Sequence, residues 1–142
     1  MRPIIFTALL ALPVLPALIA CTDPAGEMQV MPTRADGAAF FAQNCVSCHG
    51  EDGRGAGIDS RKLSSKPVDL TTLSAQNDGA FPAARTLSYI YGDTRNSHLS
   101  RVMPEFGPDM AEDLVPVEID GVLTPTPREL AGLLVYMESI QE

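Results

Sequence analysis

Cys45, Cys48 and His49 stand within five consecutive positions of the stretch NCVSCHG, in a chain with only three cysteines and two histidines. Two thiols three positions apart lie on nearly one face of a helical turn, and an imidazole beside them can reach a metal. The spacing C-x-x-C-H is that of covalent haem attachment: each thiol forms a thioether to a different edge of the porphyrin, and the histidine meets the iron from one side of the ring. A zinc site needs about four ligands, and the chain adds only the distant His98, with no second C-x-x-C pair. A thioredoxin-like dithiol expects a βαβ setting, whereas this stretch is flanked by a helical pattern and a glycine-rich loop. A structural disulfide between Cys45 and Cys48 leaves the histidine unexplained. Haem is the cofactor these residues favour.

The elements that must position them can be read from the pattern. Thr33 and Asp36 match a capping box ahead of an apolar stretch, which predicts a first helix at Arg34–Asn44. Residues 50–67 are rich in glycine and serine and read as loop with one short helical turn. VDLTTL, residues 68–73, has no readable periodicity. FPAARTLSYIYG predicts a helix with Pro82 in its first turn, an apolar stripe of Leu87, Ile90 and Tyr91, and Gly92 at its end. Asp120-Gly121 between Val117, Ile119 and Val122 signals a short hairpin over residues 116–124. Thr126 as N-cap, Pro127 at the first helical position and Glu129 three residues after the cap open a last helix reaching about residue 141. That helix places Leu130, Leu133, Leu134, Met137 and Ile140 on one face.

The first twenty residues stand apart from this domain. A basic start at Arg2 precedes the apolar run IIFTALLALPVLPALIA, broken by Pro13 and Pro16, which favours an export signal over a spanning anchor. LIAC, residues 18–21, resembles the bacterial lipoprotein lipobox, which makes Cys21 a lipidated N-terminus and accounts for the odd cysteine. The expected organisation is a signal peptide at 1–20, a lipidated tether at 21–33 and a domain at 34–142. Acyl chains on Cys21 would hold the domain at a membrane surface on the periplasmic side, each buried CH₂ contributing about 0.8 kcal/mol. Without the signal the chain carries nine basic and eighteen acidic side chains. That balance makes nucleic acid and anionic lipid poor partners and a basic protein a better one.

From Asp36 onward the chain resembles a class I, or mitochondrial-type, bacterial cytochrome c. DGAAFFAQNCVSCHG, VMPEFG and ELAGLLVYMES carry the likeness, which spans about residues 34–142 and is weakest at 108–126. The resemblance implies an all-α cytochrome c fold, here with one short β-hairpin insertion, whose N- and C-terminal helices cross over a covalently bound haem. Gly37, Phe41, Leu133 and Tyr136 match that crossing. It also implies a methionine as sixth iron ligand, in a loop before the last helix. Met103, directly before Pro104 and 54 residues after His49, fits that frame; Met110 lies in an acidic stretch without it, and His98 is the rival ligand. The resemblance further implies that the His49 ring N–H is accepted by a backbone carbonyl. Family members use a proline within a Gly-Pro pair; this chain departs from that and offers Pro67 instead. Arg54, Arg61, Arg85 and Arg101 are candidates to meet the haem propionates.

A His/Met pair fills the coordination sphere, raises the reduction potential and leaves no site for O₂ or peroxide. The expected function is therefore transfer of single electrons by one haem c and its iron, between a redox protein donor and acceptor, with no enzymatic turnover and no small-molecule substrate. Residues 102–127 hold Glu105, Asp109, Glu112, Asp113, Glu118 and Asp120 with no Lys or Arg, a segment that could steer a basic docking face. Two other readings stand beside this one: a haem subunit of a larger exported dehydrogenase or oxidase, and a ligand-binding or peroxidatic haem protein.

Overall fold

The computed structural model describes residues 30–92 and 103–142. Cys21, His98 and Arg101 lie outside the described residues. α1 spans Arg34–Asn44, the bounds its cap dictates: the Thr33 hydroxyl accepts from the Asp36 amide at 3.4 Å while the Asp36 carboxylate accepts from the Thr33 amide at 2.7 Å. Thr33→Ala removes one half of this reciprocal pair. It is expected to cost about 1 kcal/mol, measured as a lower denaturant midpoint with an unchanged slope.

α2 is the single turn Val46–His49, α3 runs Ala83–Tyr91 and α4 runs Arg128–Ser139. Between α2 and α3 the chain makes short 3₁₀ turns at Ser60–Lys62, Leu70–Thr72 and Ala75–Asn77, and a further one at Pro108–Met110. The unreadable VDLTTL is one of these: Asp69 caps it, its carboxylate accepting from the Thr71 amide at 2.9 Å.

α1 and α4 cross at a pair of glycines. A Cβ on Gly37 would stand 1.9 Å from the Gly132 carbonyl oxygen and 2.8 Å from the Tyr136 Cβ, so the helices approach backbone to backbone. Beside this point Phe41 meets the Tyr136 ring at 5.2 Å between centroids, and Leu133 is buried. The four residues expected at the crossing are there, and Gly132, which the sequence reading missed, faces Gly37. Phe41, Leu130 and Leu133 are at most 2 % exposed. Each contributes about 1.5–3 kcal/mol relative to exposure. They join Cys45, Leu70, Ile90 and Met137 in one core cluster.

The hairpin is longer than expected: β1 Leu114–Ile119 pairs antiparallel with β2 Val122–Pro127. Asp120 and Gly121 take φ of 52° and 79°, the positive values a two-residue type I′ turn requires. Pro116, Pro125 and Pro127 share one phase of the register, Pro116 opposite Pro125 and Leu114 opposite Pro127. Facing prolines cannot exchange ladder bonds, so all three fall where the backbone N–H would face away from the partner strand. Both edges of the ribbon are blunted in this way.

This pairing corrects the start of the last helix. Thr126 is paired with Val115 and fully buried, and Pro127 is still extended at ψ 132°. The helix therefore opens at Arg128, whose amide bonds the Asp113 carbonyl at 2.9 Å. The ladder takes the residues that the local cap signal assigns to the helix. The stripe of α3 is also corrected: Ile90 is buried and Leu87 half-buried, but Tyr91 is 38 % exposed and Thr86 is buried in its stead. Among the described residues no helix is long and apolar enough to cross a membrane.

Candidate functional site

Cys45, Cys48 and His49 lie on one turn, begun as α1 ends at Cys45. The Cys45 carbonyl accepts from the amides of both Cys48 and His49, at 3.2 and 2.9 Å. A turn this short leaves most of its carbonyls without helical donors, and the glycine-rich loop supplies them. Gly55 N–H donates to the His49 carbonyl at 2.7 Å, Gly57 N–H to that of Cys48 at 3.2 Å, and Asp59 N–H to that of Ser47 at 2.7 Å.

The glycines are required by closeness. A Cβ at Gly57 would lie 2.4 Å from the carbonyl oxygens of Val46 and Ser47, and one at Gly55 would lie 2.3 Å from that of Pro67. Residues 50–57 thus wrap the attachment turn against the segment at 67–70. The Leu70 amide closes the wrap by donating to the Gly53 carbonyl at 2.9 Å. That segment is pinned in turn by the end of the chain. Gln141 donates to the Leu70 carbonyl at 2.8 Å and accepts from the Ser74 amide at 2.8 Å, and the Glu142 amide donates to the Thr71 carbonyl at 2.9 Å. Gln141 had no sequence signal, because a lone amide after a helix matches no pattern.

Both thiols are free. Burial, with a smaller push from Cys48, raises the Cys45 thiol to about 11, so it is a neutral thiol in the unmodified chain. Burial likewise lowers the pKa of His49, while the backbone of Val68 opposes that shift. The Nδ1 atom of His49 is enclosed and has no hydrogen-bond partner of good geometry. A backbone group that favours imidazolium must be an acceptor, so the Val68 carbonyl, one residue past the expected Pro67, is the candidate partner. The Pro67 carbonyl is packed against Gly55 instead.

Met103 packs against the cluster that contains Cys45, as does Met110. The chain after Met103 is tied to the end of α3: the Phe106 amide bonds the Ile90 carbonyl at 3.1 Å and the Gly107 amide bonds that of Tyr91 at 3.0 Å. The Phe106 ring meets Phe40 of α1 edge-on at 5.6 Å. Arg54 contacts the Glu142 carboxylate and lies 3.7 Å from Asp69. Arg61 lines a shallow depression of about 490 Å³ with Gly55, Ala56, Ser60, Leu63 and Lys66.

These residues fit a covalently held haem. Two unpaired thiols and a half-buried imidazole with an unmet Nδ1 share one turn, and the Met103 thioether packs against the core cluster that includes Cys45. Among the described residues no group of three or more His, Cys, Asp and Glu could hold a metal ion by itself. A family model described as Cytochrome c matches residues 34–140. No curated protein and no solved structure gives a significant match.

Proposed function

The chain belongs to the cytochrome c family, and from that premise we propose that it is an exported, membrane-tethered electron carrier with His49 and Met103 as axial ligands. Family membership brings covalently bound haem c with its iron, and redox protein partners. The bound haem supplies a reversible one-electron couple. In this reading the chain's residues hold and tune it. Cys45 and Cys48 form the thioethers. His49, kept neutral by burial, would offer its other nitrogen to the iron, with the Val68 carbonyl the candidate acceptor for an N–H at Nδ1. Met103 supplies the thioether sulfur that favours the ferrous state. With both axial positions taken by protein groups, the site passes electrons and turns over no small-molecule substrate.

The observation that carries this reading is the turn of Cys45, Cys48 and His49, wrapped by the glycine-rich loop, with Met103 packed against the core cluster that includes Cys45. Lipidation of Cys21 and residence on the periplasmic side of a membrane belong to the same proposal and rest on the lipobox resemblance. The acidic segment supports a partner with a basic docking face: Asp109, Glu112, Asp113, Glu118 and Asp120 are all exposed.

One observation favours the haem subunit of a larger exported complex as a second reading. Val122 and Leu123 are 64 % and 67 % exposed on the hairpin, next to Glu118 and Asp120, where a partner would cover them.

Carbon monoxide separates a carrier from a ligand-binding haem protein. The reduced protein is expected to resist it, and Met103→Ala is expected to bind it readily, seen as a shift of the Soret band. Ready binding by the unaltered protein would overturn His/Met ligation.

A further inference from the structure

The segment that carries Met103 rests on the core through Met103 and Phe106 and is also tied to the end of α3, where the contact is unusually close. α3 ends at Tyr91 with Gly92 in the left-handed region at φ 97°. A helix end leaves its last carbonyls without donors, and here two of them, Ile90 and Tyr91, are taken by the amides of Phe106 and Gly107. Over these two bonds the Gly107 backbone lies against the Tyr91 ring, beside its Cγ, Cδ2 and Cε2. A Cβ on Gly107 would stand 2.3, 2.4 and 2.5 Å from three atoms of that ring. A companion contact lies one turn of the strap away, where a Cβ on Gly92 would meet the Glu105 side chain at 2.6 Å.

We infer that Tyr91 and Gly107 form a latch that sets the height of the Met103 strap, and are the positioning residues for the sixth ligand. This rests on the reading of Met103 as that ligand. Three residues separate Met103 from Gly107, and Pro104 within the span and Pro108 just after it have fixed φ. A displacement at Gly107 therefore reaches Met103 with little damping. A positioned ligand tolerates only about 0.5 Å of error, and a neutral thioether is a weak ligand for ferric iron. Relieving a 2.3 Å contact to an ordinary van der Waals distance needs more than that tolerance. In this latch the Tyr91 ring is the floor, and the ring rather than its hydroxyl is what the latch requires. This explains why an aromatic residue in the last turn of α3 is left 38 % exposed.

The test uses the haem-loaded full chain and the weak near-infrared charge-transfer band of ferric iron–methionine ligation, with covalent haem content and far-ultraviolet circular dichroism measured alongside. Gly107→Ala is expected to lose at least about half of the band while keeping haem and helix content, and Tyr91→Phe is expected to keep it whole. Tyr91→Ala opens the space, so adding Gly107→Ala to it is expected to cause no further loss and to exceed Gly107→Ala alone, the coupling a double-mutant cycle measures. The inference is overturned by full band intensity in Gly107→Ala, by loss in Tyr91→Phe, or by a double variant no better than Gly107→Ala. Should Gly107→Ala fail to accumulate, Tyr91→Leu decides instead: a lowered band supports the latch and an intact one overturns it. A band absent from the unaltered protein, or surviving Met103→Ala, is a different failure, that of Met103 as ligand.

Discussion

Replacing Cys45 with alanine and Cys48 with serine in one chain is expected to abolish covalent haem, leaving no haem-stained band under denaturing conditions and no Soret absorbance after acid extraction. The substitutions suit the two environments: Cys45 is 8 % exposed, where a hydroxyl would lack a partner, and Cys48 is half-buried. Each single variant retains one thioether and is expected to keep a reduced amount of haem. The stability of the domain should fall with the cofactor, because anything that binds only the folded state stabilises it by mass action, and a covalently held group cannot be diluted away. Cys45 lies in the cluster of Phe41, Leu70, Ile90 and Leu133, so the chain without haem should unfold over a broader, lower denaturant range. Full haem attachment in the double variant would contradict the site assignment.

Gly37→Ala is the second large effect. In an exposed helix the same change stabilises by about 1 kcal/mol. Here the new methyl would meet the Gly132 carbonyl oxygen at 1.9 Å and its carbon at 2.4 Å, both backbone atoms that no rotamer can move. Separating the helices exposes part of the Phe41–Tyr136 contact, and the net cost is expected at about 3 kcal/mol, the upper end of ordinary overpacking. Gly132→Ala is a graded comparison: its Cβ finds the Gly37 nitrogen at 3.2 Å and the Pro32 Cβ at 3.3 Å, so a small adjustment accommodates it and the loss is smaller. Denaturant midpoints of the two variants check this order. An equal or reversed order would mean that the crossing is looser than the contact distances say.

Part of the fold was legible because local chemistry fixes it. Thr33 and Asp36 bond each other whatever the rest of the fold does, so α1 begins where expected. The positive φ of Asp120 and Gly121 is required by the turn itself, so the hairpin was visible too. What the sequence hid depends on distant partners. Thr126 and Pro127 look like a helix start until β1 lies beside them, and pairing with Val115 and Leu114 keeps both extended. Arg54 looks free until Glu142 and Asp69 reach it. Gly132, Gly107 and Gln141 meet Gly37, Tyr91 and Leu70, each more than ten residues away in sequence. The surroundings of the His49 ring were not legible either, because the Pro67 carbonyl lies close to Gly55 and Val68 comes near only when the segment at 67–70 closes on the turn.

The central claim is that His49 and Met103 close both faces of one covalently held haem. It is tested most directly by optical spectra of the oxidised and dithionite-reduced protein extended into the near infrared, for the unaltered chain and for Met103→Ala. The account predicts sharp reduced bands together with a weak near-infrared feature that disappears in Met103→Ala. A haem spectrum with no such feature, or one unchanged by Met103→Ala, would contradict it.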